Sequence, residues 1–148
     1  MKVFAVLNND EAYAVEAICS VLQTDECSVE CLVIEPQFGA TCGQSSAISQ
    51  SISGADVLVY IGSKGAQDNS CISYALQEAA RLGKKIICVR LDSSAELDPI
   101  FKGLGDGLIY DFSNLPQAIF ERAYEWVGEN GVELDETKLE RFKCGNKK

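Results

Sequence analysis

Five short apolar runs, separated by polar loops and amphipathic stretches, constrain this chain more than anything else in it. They are Val3-Phe4-Ala5-Val6-Leu7, Val29 through Ile34, Val57-Leu58-Val59-Tyr60-Ile61, Ile86-Ile87-Cys88-Val89 and the weaker Leu108-Ile109-Tyr110. Apolar runs this short, bounded by turn-forming residues, read as strands buried on both faces. Between the first two, Val15, Ile18, Cys19 and Leu22 recur at helical spacing, in a helix starting near Asp10. Residues 45–53 predict a short helix burying Ala47, Ile48 and Ile52. Residues 70–82 predict another, with Ile72, Ala75, Leu76 and Ala79 on one stripe and Gly83 as its C-cap. A last helix is expected over residues 115–127, stopped by the glycines at 128 and 131.

Strands alternating with helices mean βαβ units and a parallel sheet. Right-handed crossovers then favour a flavodoxin-like, doubly wound, five-stranded sheet of order 2-1-3-4-5, sandwiched as three α/β/α layers. A chain of 148 residues suits one such domain, expected over residues 1–128. Residues 129–148 read as a charged tail with an exposed helix over 135–142 and a disordered end. In the expected strand order the sheet reverses direction between the first and third strands. A ligand should therefore meet the loops at residues 8–11 and 63–69, flanked by residues 35–44.

The net charge of −9 repels phosphate backbones and anionic lipid, so nucleic acid and membrane surfaces are poor partners. No apolar run approaches the length of a membrane span, and Asn8, Asn9, Asp10 and Glu11 interrupt any leader, so a cytoplasmic location is expected. The seven cysteines are odd in number and carry no export signal, which argues against a disulfide framework. Cys27 and Cys31, four apart on a strand, lie ~13 Å from each other, too far to share a metal. With no histidine present, no metal site or cofactor is expected, and the cysteines read as small buried hydrophobes. Any chemistry here falls to carboxylates, hydroxyls or thiols.

The segment from Ile61 to Cys71 is the richest in candidates. Its loop, with Gly62, Ser63, Lys64 and Gly65, enters a helix N-terminus, which can present N–H groups to an anion. It has neither the Gly-Lys-Ser/Thr of a P-loop nor the dinucleotide fingerprint. A plain turn in which Asn69 or Ser70 caps the helix accounts for it equally well. Phe38 and Gly39 sit in a glycine-bearing loop that turn chemistry alone also explains.

The stretch Ala55-Asp56-Val57-Leu58-Val59-Tyr60-Ile61-Gly62-Ser63, then Ser70-Cys71-Ile72-Ser73-Tyr74-Ala75, then Leu82-Gly83-Lys84-Lys85-Ile86-Ile87-Cys88-Val89, resembles the centre of a TIR domain. The likeness is to the TIR-like proteins of bacterial anti-phage defence, the Thoeris-type NADase group, and spans residues 1–127 in order. It implies an enzyme that cleaves NAD⁺ as substrate and makes an ADP-ribose-derived signal, completed by a homo-oligomer or a partner effector protein. Counted back from Gly83-Lys84, the family's catalytic glutamate falls on Ala75. The resemblance puts substrate beside Leu7, Asn8, Asn9, Asp10, Phe38, Gly39, Ser63, Lys64, Gly65, Cys71 and Tyr74. With alanine at 75, three readings stand. The chain is an NADase whose glutamate has been exchanged, a non-catalytic adaptor or nucleotide-binding module, or a nucleoside 2-deoxyribosyltransferase-like enzyme. The last family shares the layout, though Asp68-Asn69-Ser70-Cys71 lacks its Gly-Thr.

Overall fold

The computed structural model describes residues 1–22, 27–35, 42–63, 69–91, 98–120, 125–127 and 133–134. Strand β1 (Lys2–Asn8) is followed by a 3-10 turn (Asn9–Glu11) and helix α1 (Ala14–Leu22). Then come β2 (Ser28–Ile34), α2 (Ser45–Ser53), β3 (Val57–Gly62), α3 (Ser70–Arg81) and β4 (Lys85–Arg90). Helix α4 (Pro99–Leu104), β5 (Gly107–Ile109), a second 3-10 turn (Phe112–Asn114) and α5 (Leu115–Phe120) complete the expected core. Its five strands are all parallel and lie in the order β2-β1-β3-β4-β5, the doubly wound arrangement expected from the sequence.

Alternation along the buried strands assigns each face its helices, because successive side chains point to opposite sides. Val3, Ala5, Leu7, Val57, Val59, Ile61, Ile87 and Val89 pack under Ile18 and Leu22 of α1 and Leu115 and Ile119 of α5. Phe4, Val6, Leu58, Tyr60, Ile86 and Cys88 pack on the opposite face under α2, α3 and α4. Strand β3 is buried along its whole length. Burying one such Val, Leu, Ile or Phe is worth about 1.5–3 kcal/mol, so these two clusters hold the layers together.

Local signals set the helix ends. Asn69 caps α3, its side-chain oxygen accepting from the Cys71 N–H at 3.0 Å. At the other end Gly83 takes φ +71, and Lys84 N–H reaches Ala79 O at 2.9 Å while Gly83 N–H reaches Ala80 O, the paired bonds of a Schellman stop.

Three features depart from the sequence reading. Helix α4 was not anticipated; it opens on Pro99 and seats the buried Phe101 edge-on against Tyr60, ring centroids 5.6 Å apart. A Cβ on Gly105 would run into that Phe101 ring, so the close pass calls for glycine. Ala47, expected inside, is exposed, and α2 buries Ile48 and Ile52 alone. Of the helix expected over 115–127 the structure describes Leu115–Phe120, and Glu125–Val127 forms a strand, β6, parallel to β5, with β7 (Glu133–Leu134) antiparallel beyond it. The open edge of β5 needs backbone partners, and that demand outweighs a helical spacing of apolar residues. The expected tail helix at 135–142 lies outside the described residues.

Candidate functional site

The switch between β1 and β3 places Asn8 and Ser63 at the carboxyl ends of neighbouring strands. Asn8 follows buried Leu7, pairs with Ile34 of β2 and is 1% exposed. The hydrogen bonds around it decide which way its amide faces. Asn69 must aim Oδ1 at the Cys71 N–H to cap α3, so its Nδ2 faces the other way. That nitrogen donates to Asn8 Oδ1 at 2.9 Å and to the Glu35 carbonyl at 3.4 Å. Asn8 thus accepts through its oxygen and turns Nδ2 elsewhere. This buried nitrogen has no partner among the described residues.

Glu11, at the end of the first 3-10 turn, completes the cluster and is only 9% exposed. Burial pushes its carboxyl above the ordinary range; a hydrogen bond with Ser63 works against that, and the charge of Asp10 adds to it. Its Oε1 is buried without a partner among the described residues. Among the described residues, the carboxyl end of β1 therefore holds one unmet donor and one unmet acceptor. Each such buried group costs about 1–3 kcal/mol when nothing meets it. Folded proteins keep such groups where solvent or a ligand completes them.

The residues expected to line the site divide sharply. Asn8 and Ser63 are in it, and Asn9 and Asp10 lie exposed in the turn beside it. Leu7 packs wholly into the core under α1. Ala75 is fully buried with Phe4, Ile72 and Leu76 on the opposite face of the sheet. Tyr74 points outward: its hydroxyl bonds Ser49 of α2 and borders a groove of about 560 Å³ between α2 and α3. Phe38, Gly39, Lys64 and Gly65 lie outside the described residues.

Cys71 requires a correction. It is bonded to Cys42 in a buried disulfide, so the expectation that the cysteines all serve as free hydrophobes fails at this pair. The parallel topology brings the residue ahead of α2 to the first turn of α3, with 4.7 Å between the Cα atoms, although 29 positions separate them in sequence. The four described free cysteines behave as expected of buried or half-buried thiols. Burial pushes Cys88 up to about 12, and burial with the neighbouring Cys19 pushes Cys31 to about 12, so neither is a thiolate at neutral pH.

The sequence placed Glu11 in the expected ligand loop at residues 8–11 without singling it out, and it did not foresee the orienting role of Asn69. Glu11 read as one of four polar residues ending a strand; what would have singled it out is its place one turn beyond that strand, where only a short 3-10 turn separates it from β1. No protein-family model matches this chain. No curated protein is significantly similar to it either. The geometry at the end of β1 is therefore what a functional reading must answer to. Among the described residues, no helix is long and apolar enough to cross a membrane.

Proposed function

We propose that this chain is a TIR-like nucleotide-binding domain that takes NAD⁺ or a related nucleotide beyond β1 and β3 and does not cleave it. The observation that carries the reading is the buried amide nitrogen of Asn8, oriented by Asn69 and without a partner among the described residues at the topological switch point. Ligands of doubly wound sheets gather at that position. The sequence resemblance supplies the ligand class, and with it a cytoplasmic role in bacterial anti-phage signalling through self-association or an effector partner. Alanine at 75 supplies no charge to an oxocarbenium-like ribose, so the family's cleavage step has no carboxylate in its usual place.

Asn8→Asp tests this cleanly, because it keeps the oxygen that Asn69 bonds and turns the free donor into an acceptor. Calorimetric titration of NAD⁺ should show binding to the native protein and a loss of about tenfold or more in the variant. Mass spectrometry of the same mixtures should find NAD⁺ intact. Release of nicotinamide by the native protein would restore the NAD⁺-cleaving reading. Exchange of bases between deoxynucleosides would point to the deoxyribosyltransferase-like one. Failure of NAD⁺, ADP-ribose and nicotinamide alike to bind would defeat the proposal.

A further inference from the structure

We propose that the Cys42–Cys71 disulfide is a redox switch: a dithiol reductant opens it, and the opening releases the orientation that Asn69 imposes on Asn8. Nothing in this switch depends on which ligand the crevice takes.

Both sulfurs stand where a thiolate is stabilised. Cys71 lies in the first turn of α3, a helix of 12 residues whose N-terminus carries partial positive charge. Cys42 lies two residues ahead of Gln44, the N-cap of α2, and its Sγ already accepts from the Gln44 N–H at 3.3 Å. That bond strengthens once the sulfur carries charge. Stabilising the reduced form makes a disulfide easier to open. A serine pair has no thiolates, so the stability lost on exchanging both cysteines measures the cross-link and not the ease of reduction.

Exposure fixes the direction of exchange. Cys42 is 8% exposed and Cys71 is wholly buried, so an incoming thiolate meets Cys42. It bonds to Cys42 Sγ as the disulfide breaks, and the electron pair leaves on Cys71, the sulfur at the helix N-terminus. The reductant's second thiol then closes on its first sulfur and frees Cys42. The reductant departs as its own disulfide, and its two protons pass to the cysteines.

Cys71 is tied to the crevice through two hydrogen bonds. Its N–H donates to Asn69 Oδ1 at 3.0 Å, and Asn69 Nδ2 donates to Asn8 Oδ1 at 2.9 Å. Two thiols need more room than a bonded pair of sulfurs, and Cys71 has no exposed surface into which to move. The first turn of α3 therefore shifts on reduction and carries the Asn69 amide with it. The oxidised chain is the form that holds the Asn8 donor in place.

The test takes isotope-labelled native protein through glutathione buffers graded from oxidising to reducing, with no nucleotide present. Alkylation and mass spectrometry read the fraction opened, and NMR reads the side-chain amide of Asn8 in the same samples. The bond should open within the range the buffers span, and the Asn8 resonance should move with the same midpoint while the Lys2 and Ile86 amides stay in place. Asn69→Ser keeps a capping oxygen and lacks the amide that reaches Asn8. In that variant the bond should still open, and the Asn8 resonance should move by less than half as much. A bond that stays closed in the most reducing buffer, or a native Asn8 resonance that ignores reduction, would overturn the proposal. So would an equal movement in Asn69→Ser, or a spectrum that collapses to that of an unfolded chain on reduction, which would mark the bond as structural. A failure of NAD⁺ to bind would leave all these outcomes unchanged, so the two readings fail separately.

Discussion

The two ends of one sheet treat their polar residues differently. At the amino end, Asp56 accepts from the Lys2 N–H at 2.8 Å and returns its own N–H to the Lys2 carbonyl. Asp106 does the same for Ile86, both bonds at 2.8 Å. Each carboxylate aligns the start of a neighbouring strand and has its donors from the backbone. At the carboxyl end, Asn8 and Glu11 are buried to a similar degree as Asp106, yet each retains an atom that nothing among the described residues meets. Similar burial with opposite satisfaction separates a structural polar residue from one available to a ligand. The groove between α2 and α3 belongs with the first kind: Arg81 is paired to Glu78 at 2.7 Å, and Tyr74 to Ser49.

The comparison can be broken at several points. The largest effect is expected at the tether beside the crevice. Replacing Cys42 and Cys71 together by serine frees a loop of the size that a sequence separation of 29 implies, and should lower unfolding free energy by about 3–4 kcal/mol in a denaturant titration. A loss under about 1 kcal/mol would mean that packing of α2 on α3 carries that junction without the bond.

Next comes the amino end. Asp106→Ala strands the buried Ile86 N–H and should destabilise by about 1–3 kcal/mol while leaving NAD⁺ affinity within error of native. If affinity falls with stability, the division between the two ends is not real.

The smallest effect, and the one with the opposite sign, belongs to Glu11. Glu11→Gln removes a buried charge, so stability should hold or rise slightly at neutral pH. The folded pKa of Glu11 is raised, chiefly by burial, against the partial relief from Ser63. Its contribution is therefore fully present below about pH 4.5 and is lost as pH rises through the folded pKa. Native stability measured relative to Glu11→Gln should fall between pH 4 and 7, and a rise over that window would contradict the assignment.

Much of this fold was legible because its signals are local and repeated. Five apolar runs, the cap at Asn69 and the stop at Gly83 each follow from a few consecutive residues. The disulfide was not legible, since Cys42 and Cys71 meet only through the packing of two helices over the sheet. Nor was β6: Glu125–Val127 is a strand because β5 offers it an edge. At the site, Asn8 and Ser63 were found from topology alone. Tyr74 and Ala75 came from the family pattern, and the structure puts them on the outer groove and in the core. Glu11 lay in the same topologically marked loop as Asn8 but was not singled out, because burial, which sets it apart from Asn9 and Asp10, is a property of the folded chain.

The most direct test of the central claim, that unmet polar atoms at the end of β1 form a ligand site, is an amide NMR titration with NAD⁺. The side-chain amide of Asn8 and the backbone amides of Ser63 and Cys71 should shift together, while those of Lys2 and Ile86 stay in place. Shifts centred on Ser49, Tyr74 and Arg81, or none at saturating nucleotide, would contradict the account.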